Sequence, residues 1–224
     1  MRLPDTALLS TAYIAPVQYY TKLLCYKNIF IEIEENYQKQ SYRNRCNVLS
    51  ANGTLPLTIP VIKDNPKTKT KDIRIDYSLN WQKNHWVSIE SAYSSSPFFE
   101  FYQDEFYWFF DRQFKYLIDF NIRIQDYILK QLELSPAIKF TNSFIFQVDE
   151  NTDDYRESIH PKKRMQKKDA LFKPQFYYQV FYEKYGFISN LSIVDLLFNE
   201  GPNAENILKQ STDPVCFTLH REGK

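Results

Sequence analysis

Hydrophobic positions along the chain alternate between two spacings. Ala7-Leu8-Leu9-Ser10-Thr11-Ala12 is a short apolar run that predicts a buried strand. A helix is expected from Pro16 to Leu24, because proline suits a first helical turn, where its missing N–H is not needed. Residues 28–34 alternate apolar and charged side chains, a strand signature. The opening therefore predicts strand, loop, helix, strand, a βαβ-like unit. Residues 48–50 and 55–61 predict short strands joined by a turn at Ala51-Asn52-Gly53, and Ile73 and Ile75 alternate with Arg74 and Asp76 in another. The basic, proline-interrupted stretch 63–71 is expected to be a mobile loop.

From Trp81 the period becomes helical. Trp81, His85, Ile89 and Tyr93 share one i, i+4 face, and Pro97 ends the run. Residues 98–134 predict two or more aromatic helices, 142–147 a late strand, and 149–169 a long charged surface loop. Two last helices are expected over 175–185 and 192–199, Gly186 ending the first and the Ser192 hydroxyl capping the second. The expected class is α/β, with a mixed sheet, flanking helices and a helical C-terminal portion. An α+β arrangement is the alternative, because the strands after residue 48 look antiparallel. One domain over 1–210 and a flexible tail over 211–224 complete the expectation.

Composition narrows the function classes. With 43% hydrophobic and 17% aromatic residues in 224, the chain can bury a sizeable core. Its 17 tyrosines need hydrogen-bond partners, which places many at core edges or in a cleft. A net charge of +1 argues against a nucleic-acid partner, since such binding draws on uncompensated Lys and Arg. No stretch approaches the roughly 20 apolar residues of a membrane span, and no secretory signal pattern is present. Cys25, Cys46 and Cys216 are odd in number and far apart, so free thiols in a reducing, cytoplasmic setting are expected. The four isolated glycines exclude a Walker loop and a dinucleotide fingerprint. G-x-S-x-G, H-E-x-x-H and C-x-x-C are all missing. No cofactor is indicated, and the oligomeric state is not legible.

Three segments carry candidate chemistry. In the first, Gln18, Tyr19 and Tyr20 follow a strand end, where open α/β sheets bind ligands. The second, 37–46, holds Gln40, Tyr42, Arg43, Asn44 and Arg45. Its guanidiniums offer bidentate donors to phosphate or carboxylate, unless they pair with Glu32, Glu34 or Glu35. Cys46 lacks a sequence-local activating partner. The third is His85, either a general base or a hydrogen-bonded core residue. His160 lies in a charged stretch that reads as solvated, and Asn190, Ser192 and Asp195 read as capping and packing groups.

At these segments the chain resembles the WbqC-like family of bacterial proteins encoded in O-antigen and other surface-polysaccharide clusters. The matching pieces are Tyr13-x-x-Pro16-x-x-Tyr19-Tyr20, residues 41–45, residues 57–61, Trp81 with His85, Tyr93 leading to Pro97-Phe98-Phe99, and residues 187–199. Where many members carry a glycine in the first motif, this chain has Gln18 or Tyr19. A Gly-containing segment of longer members gives way to residues 154–164. The resemblance implies acyl or aminoacyl (glycine) transfer onto a sugar precursor, with a nucleotide-sugar or acyl donor as small-molecule substrate. A non-catalytic nucleotide-sugar-binding protein is the alternative. Arg43 and Arg45 would then hold phosphate or carboxylate, and Gln18, Gln40 and Asn44 would bond the sugar or amide. Tyr19, Tyr42 and Tyr93 would line the site, and His85 would be the base.

Overall fold

The computed structural model describes residues 3–218. β1 (Thr6–Ser10), α1 (Val17–Cys25) and β2 (Asn28–Glu32) form the expected βαβ unit, with β1 and β2 parallel. Ala7, Leu8 and Leu9 are buried in succession, as in a strand covered on both faces. β3 (Arg45–Ser50) and β4 (Gly53–Thr58) are the antiparallel hairpin, and β5 (Val61–Ile62) pairs with β6 (Arg74–Ile75). The stretch 63–71 is anchored in its second half: Thr70 and Lys71 donate backbone N–H to the Glu35 and Ile33 carbonyls, and Lys69 and Lys71 pair with Glu34.

α2 (Trp81–Tyr93), α3 (Phe99–Asp111) and α4 (Leu117–Gln131) follow, and α2 buries the predicted Trp81, His85, Ile89 and Tyr93. The strand expected at 142–147 lies earlier, as β7 (Ile138–Phe140) on the far side of β2. The supposed surface loop 149–169 contributes β8 (Thr152–Asp154), parallel to β1. The order β7-β2-β1-β8 is thus a wholly parallel sheet, and the two antiparallel pairs stand apart from it. The class is α/β. The antiparallel reading after residue 48 describes the hairpin and the short β5–β6 pair, not the main sheet.

Of the helix expected at 175–185 only α5 (Tyr182–Tyr185) forms, closed by Gly186 at φ +66, a conformation without steric cost for glycine. α6 (Ile193–Glu200) starts where predicted with Ser192 at its N-cap position, but the Ser192 hydroxyl makes no capping bond and donates instead to the Ile14 carbonyl (2.8 Å). α6 inserts Phe198 edge-on against Tyr93, Phe99 and Phe106. α7 (Ala204–Gln210) and α8 (Val215–Thr218) are the last elements among the described residues.

Two expectations about the C-terminus change. Residues 211–217 are not a loose tail: Ser211, Thr212 and Cys216 are buried, while the rest of the expected tail, 219–224, lies outside the described residues. Cys216 is disulfide-bonded to Cys25, leaving Cys46 as the free thiol. Free thiols at all three positions, on which the cytoplasmic expectation rested, are therefore not found. Among the described residues no helix is long and apolar enough to cross a membrane.

Candidate functional site

The loop between β1 and α1 reaches the helix through Ile14, at φ +40, a costly backbone for a β-branched residue. The strained turn is held from outside by residues 190–193. Val17 N–H donates to the Leu191 carbonyl and Ile193 N–H to the Ala15 carbonyl, while Ser192 N–H donates to Asn47 of β3. One short segment thereby ties the first turn of α1 to the hairpin. Between them lies an open cavity of about 490 Å³, lined by Gln18, Tyr42, Asn47 and Thr54 together with Lys163, Lys167, Asp169, Phe172 and Asn190.

The wall is ordered by a hydrogen-bond chain whose direction is fixed at one end. An ionised carboxylate can only accept, so the amide group facing Asp169 is the Gln18 nitrogen, donating to Oδ2 at 2.8 Å. The Gln18 carbonyl oxygen then accepts from Asn190 Nδ2 (3.0 Å), and Asn190 Oδ1 accepts the Gln18 backbone N–H (2.9 Å). Asn190 sits in the left-handed region (φ +59), which Asn tolerates better than most residues. Each amide nitrogen carries a second hydrogen beyond the one used. Together with Lys163 and Lys167, the wall favours a ligand rich in acceptors and negative charge.

Behind Asp169 lies Lys22, one turn along α1 from Gln18 and fully buried, with its ammonium 2.6 Å from Asp169 Oδ2 and 4.9 Å from the Tyr155 ring centre. Burial pushes the Lys22 pKa down, and the Asp169 charge offsets this only in part. Asp169 Oδ1 also accepts the Leu171 N–H (3.1 Å).

The sequence-predicted residues separate into groups. Gln18 and Tyr42 line the cavity. Tyr42 also borders a much smaller void at the C-terminal end of β1, shared with Tyr19 and Arg43. Arg43 is buried and committed: Nε and Nη2 donate to the two oxygens of Glu35 (2.7 Å each), and Nη2 also meets Ser10 and Glu157. Asn44 donates to the Ile59 carbonyl, Arg45 to Thr58, and Gln40 lies exposed at φ +60. None of these three lines the cavity.

His85 is a core residue. Its Nδ1 meets the Tyr13 hydroxyl (2.9 Å), the Thr58 backbone engages the ring as well, and burial lowers its pKa to about 4. Tyr93 donates to Asp195 Oδ1 (3.0 Å), while Tyr177 and Gln179 donate to Oδ2 (2.7 Å each). Burial raises the Asp195 pKa to about 6, a rise that its three neutral donors limit. Burial also raises the Cys46 thiol, which keeps it inert.

Asn47, Thr54, Lys163, Lys167, Asp169 and Asn190 were missed as site residues. The local signal that existed was Lys22, on the same helical face as Gln18. The 163–169 run reads as a solvated charged loop, and 163–168 are indeed exposed; it reaches the cavity through Lys163 and Lys167 and through the largely covered Asp169 side chain. Among the described residues, no group of His, Cys, Asp and Glu could hold a metal ion.

The profile of the WbqC-like protein family matches residues 11–171, and the chain belongs to that family. It is 25% identical, over 91% of its length and 96% of the relative's, to the uncharacterized protein Rv1507c of Mycobacterium tuberculosis. No solved structure matches the chain.

Proposed function

We propose that this WbqC-like protein binds a phosphorylated, nucleotide-linked sugar in the cavity beside α1 and transfers an acyl or aminoacyl group, glycine being the smallest, onto it during assembly of a surface polysaccharide. The observation that carries the reading is the donor-rich wall ordered by Asp169: two fixed amides with hydrogens to spare, and two lysines. Amide donors suit the hydroxyls and acyl oxygens of a sugar, and the lysines suit phosphate.

In such a transfer the amine or hydroxyl of the sugar attacks the acyl carbon of an activated donor. The bond to the donor's carrier breaks, the carrier leaves with the electron pair, and the attacking group gives up its proton. Asp169 is the carboxylate of the cavity wall. Its oxygens offer about four lone-pair sites, of which Gln18, Lys22 and Leu171 occupy three. The remaining site makes Asp169 the base in this reading, replacing His85.

The second reading, a binding protein without chemistry, draws on the absence of Cys or His from the lining. Incubation with nucleotide-amino sugars and activated acyl donors, followed by mass spectrometry, separates the two. The transferase reading expects a mass gain on the sugar that Asp169→Asn reduces at least tenfold. Ligand binding without any mass gain across the panel would leave the binding reading alone.

A further inference from the structure

Residues 175–179 lie in the chain between the lining residues Phe172 and Ile188 and present alternating faces. Tyr177 and Gln179 turn inward to Asp195. Gln179 also grips the Ile188 backbone from both sides, donating to its carbonyl (3.0 Å) and accepting its N–H (2.9 Å). Phe176 and Tyr178 turn outward. With Tyr182 of α5 they make a closed triangle of edge-to-face rings, with centroids 5.2, 5.4 and 5.4 Å apart. Phe187 supports Phe176 at 5.5 Å. Tyr178 is nevertheless 70% exposed and Phe176 40%.

This cluster lies between two segments of the cavity lining. Residues 188–191, which line the cavity, begin directly after Phe187. On the other side α5 is fastened to the hairpin turn, where Lys184 and Tyr185 donate to the Ala51 carbonyl (2.8 and 2.9 Å), three residues before the lining Thr54. Single exposed aromatics are ordinary, but here two exposed rings pack on each other and on the half-buried Tyr182, a concentration of apolar surface that calls for a partner. The hydrogen-bonding groups that a sugar requires are inside the cavity. The cluster adds ring faces, which bind a flat π-system with little regard to its hydrogen-bonding pattern.

We propose that Phe176, Tyr178 and Tyr182 form a base subsite, stacking the nucleobase of a nucleotide-linked ligand whose phosphates lie against Lys163 and Lys167. The proposal rests on the reading of the cavity as a phosphorylated-sugar site. It adds that the ligand is held at two places, by its phosphosugar inside and by its base outside.

The test is calorimetric titration of uridine-, thymidine- and guanosine-diphosphate sugars, and of the matching sugar 1-phosphates, into the intact protein and its Tyr178→Ala and Tyr178→Phe variants. Because Tyr178 is mostly exposed, these variants keep the fold, which circular dichroism verifies. Tyr178→Ala is expected to weaken at least one nucleotide sugar about tenfold or more. It should leave the sugar 1-phosphates unchanged, and Tyr178→Phe should retain tight binding. Equal losses for both ligand types, or none for either, would overturn the base subsite while leaving the cavity reading intact. Failure of the unaltered protein to bind any probe would remove the cavity reading, and the subsite with it.

Discussion

Two of the buried cation–carboxylate pairs among the described residues, Arg43–Glu35 and Lys22–Asp169, are built to different standards. Arg43 meets Glu35 through a planar two-point fork, and the second hydrogen of Nη2 is shared between Ser10 and Glu157. Lys22 meets Asp169 through one contact, with an aromatic face as its other neighbour. Burial alone would lower both pKa values. For Arg43 the carboxylates overcome it and the pKa rises; for Lys22 burial wins and the pKa falls. A guanidinium offers five donors in a geometry that fits a carboxylate, whereas an ammonium is a strongly hydrated point charge. The first pair is therefore a rivet, and the second leaves a carboxylate with capacity to spare at the edge of a cavity.

The comparison breaks most readily at the rivet. Arg43→Met strands Glu35 as an uncompensated buried charge, and the expected loss is about 3–5 kcal/mol in urea unfolding. A loss below about 1 kcal/mol would mean that Arg43 is free to serve a ligand after all. The next effect concerns the helix that carries Lys22. Cys25 lies three residues beyond it and is tied to Cys216 across 191 residues of chain. The C-terminal segment so held pairs with the cavity wall, through the Asp213 N–H to the Leu171 carbonyl and the Lys173 N–H to the Ser211 carbonyl. Reduction, or Cys216→Ser, should cost about 3 kcal/mol. In hydrogen exchange it should loosen residues 169–175 while the amides around Arg43 stay protected.

Much of the scaffold was legible because its signals are local. The apolar run of β1, the proline before α1, the alternation in β2 and the i, i+4 face of α2 each specify their element within a few residues. β8 was not legible. Thr152-Asp153-Asp154 carries no apolar pattern and becomes a strand by pairing with β1, some 146 positions away. The Cys25–Cys216 link is equally non-local. Of the expected residues, Gln18 and Tyr42 line the cavity, Gln18 on the readable helix α1 and Tyr42 in the polar turn before β3. Arg43 was read as a ligand group because polarity alone does not tell a guanidinium facing a cavity from one facing Glu35, eight residues back. Lys163, Lys167 and Asp169 were overlooked for the converse reason: a charged loop reads as solvated wherever the fold places it.

Groups without any counter-charge extend the comparison to pH. His85, lowered to about 4 in the folded protein, binds fewer protons there than when unfolded, so its contribution is lost as pH falls from about 6.5 toward 4. Asp195, raised to about 6, acts in the opposite sense: the folded state binds more protons between about 4 and 6, and stability from this group falls as pH rises through that window. Between pH 7 and 5 the histidine should cost about 2 kcal/mol and the aspartate return about 1 kcal/mol. His85→Gln should therefore abolish the acid loss, and Asp195→Asn should steepen it, in urea titrations at stepped pH. Identical pH profiles for both variants would show that neither group titrates as its surroundings require.

The smallest effect on stability belongs to the pair that matters most for the site. Lys22→Met removes a buried ammonium whose desolvation already outweighs its attraction to Asp169. Asp169, unlike Glu35, forms part of the wall of an open cavity, and without Lys22 it keeps the Gln18 amide and the Leu171 N–H. The expected loss at pH 7 is about 1 kcal/mol, well short of the Arg43 variant. The sign of its pH dependence identifies the cause. With a folded pKa below the unfolded value of about 10.4, Lys22 makes stability rise with pH across the alkaline interval between the two. Lys22→Met should lose that rise, while Lys22→Arg should lose it and destabilise further, since a larger cation must fit the same space. Ligand affinity should fall in Lys22→Met by less than in Asp169→Asn, because the lysine acts on the wall only through the carboxylate it neutralises. A Lys22→Met loss as large as that of Arg43→Met would make the two pairs equivalent rivets, and Asp169 would then have no standing as a base.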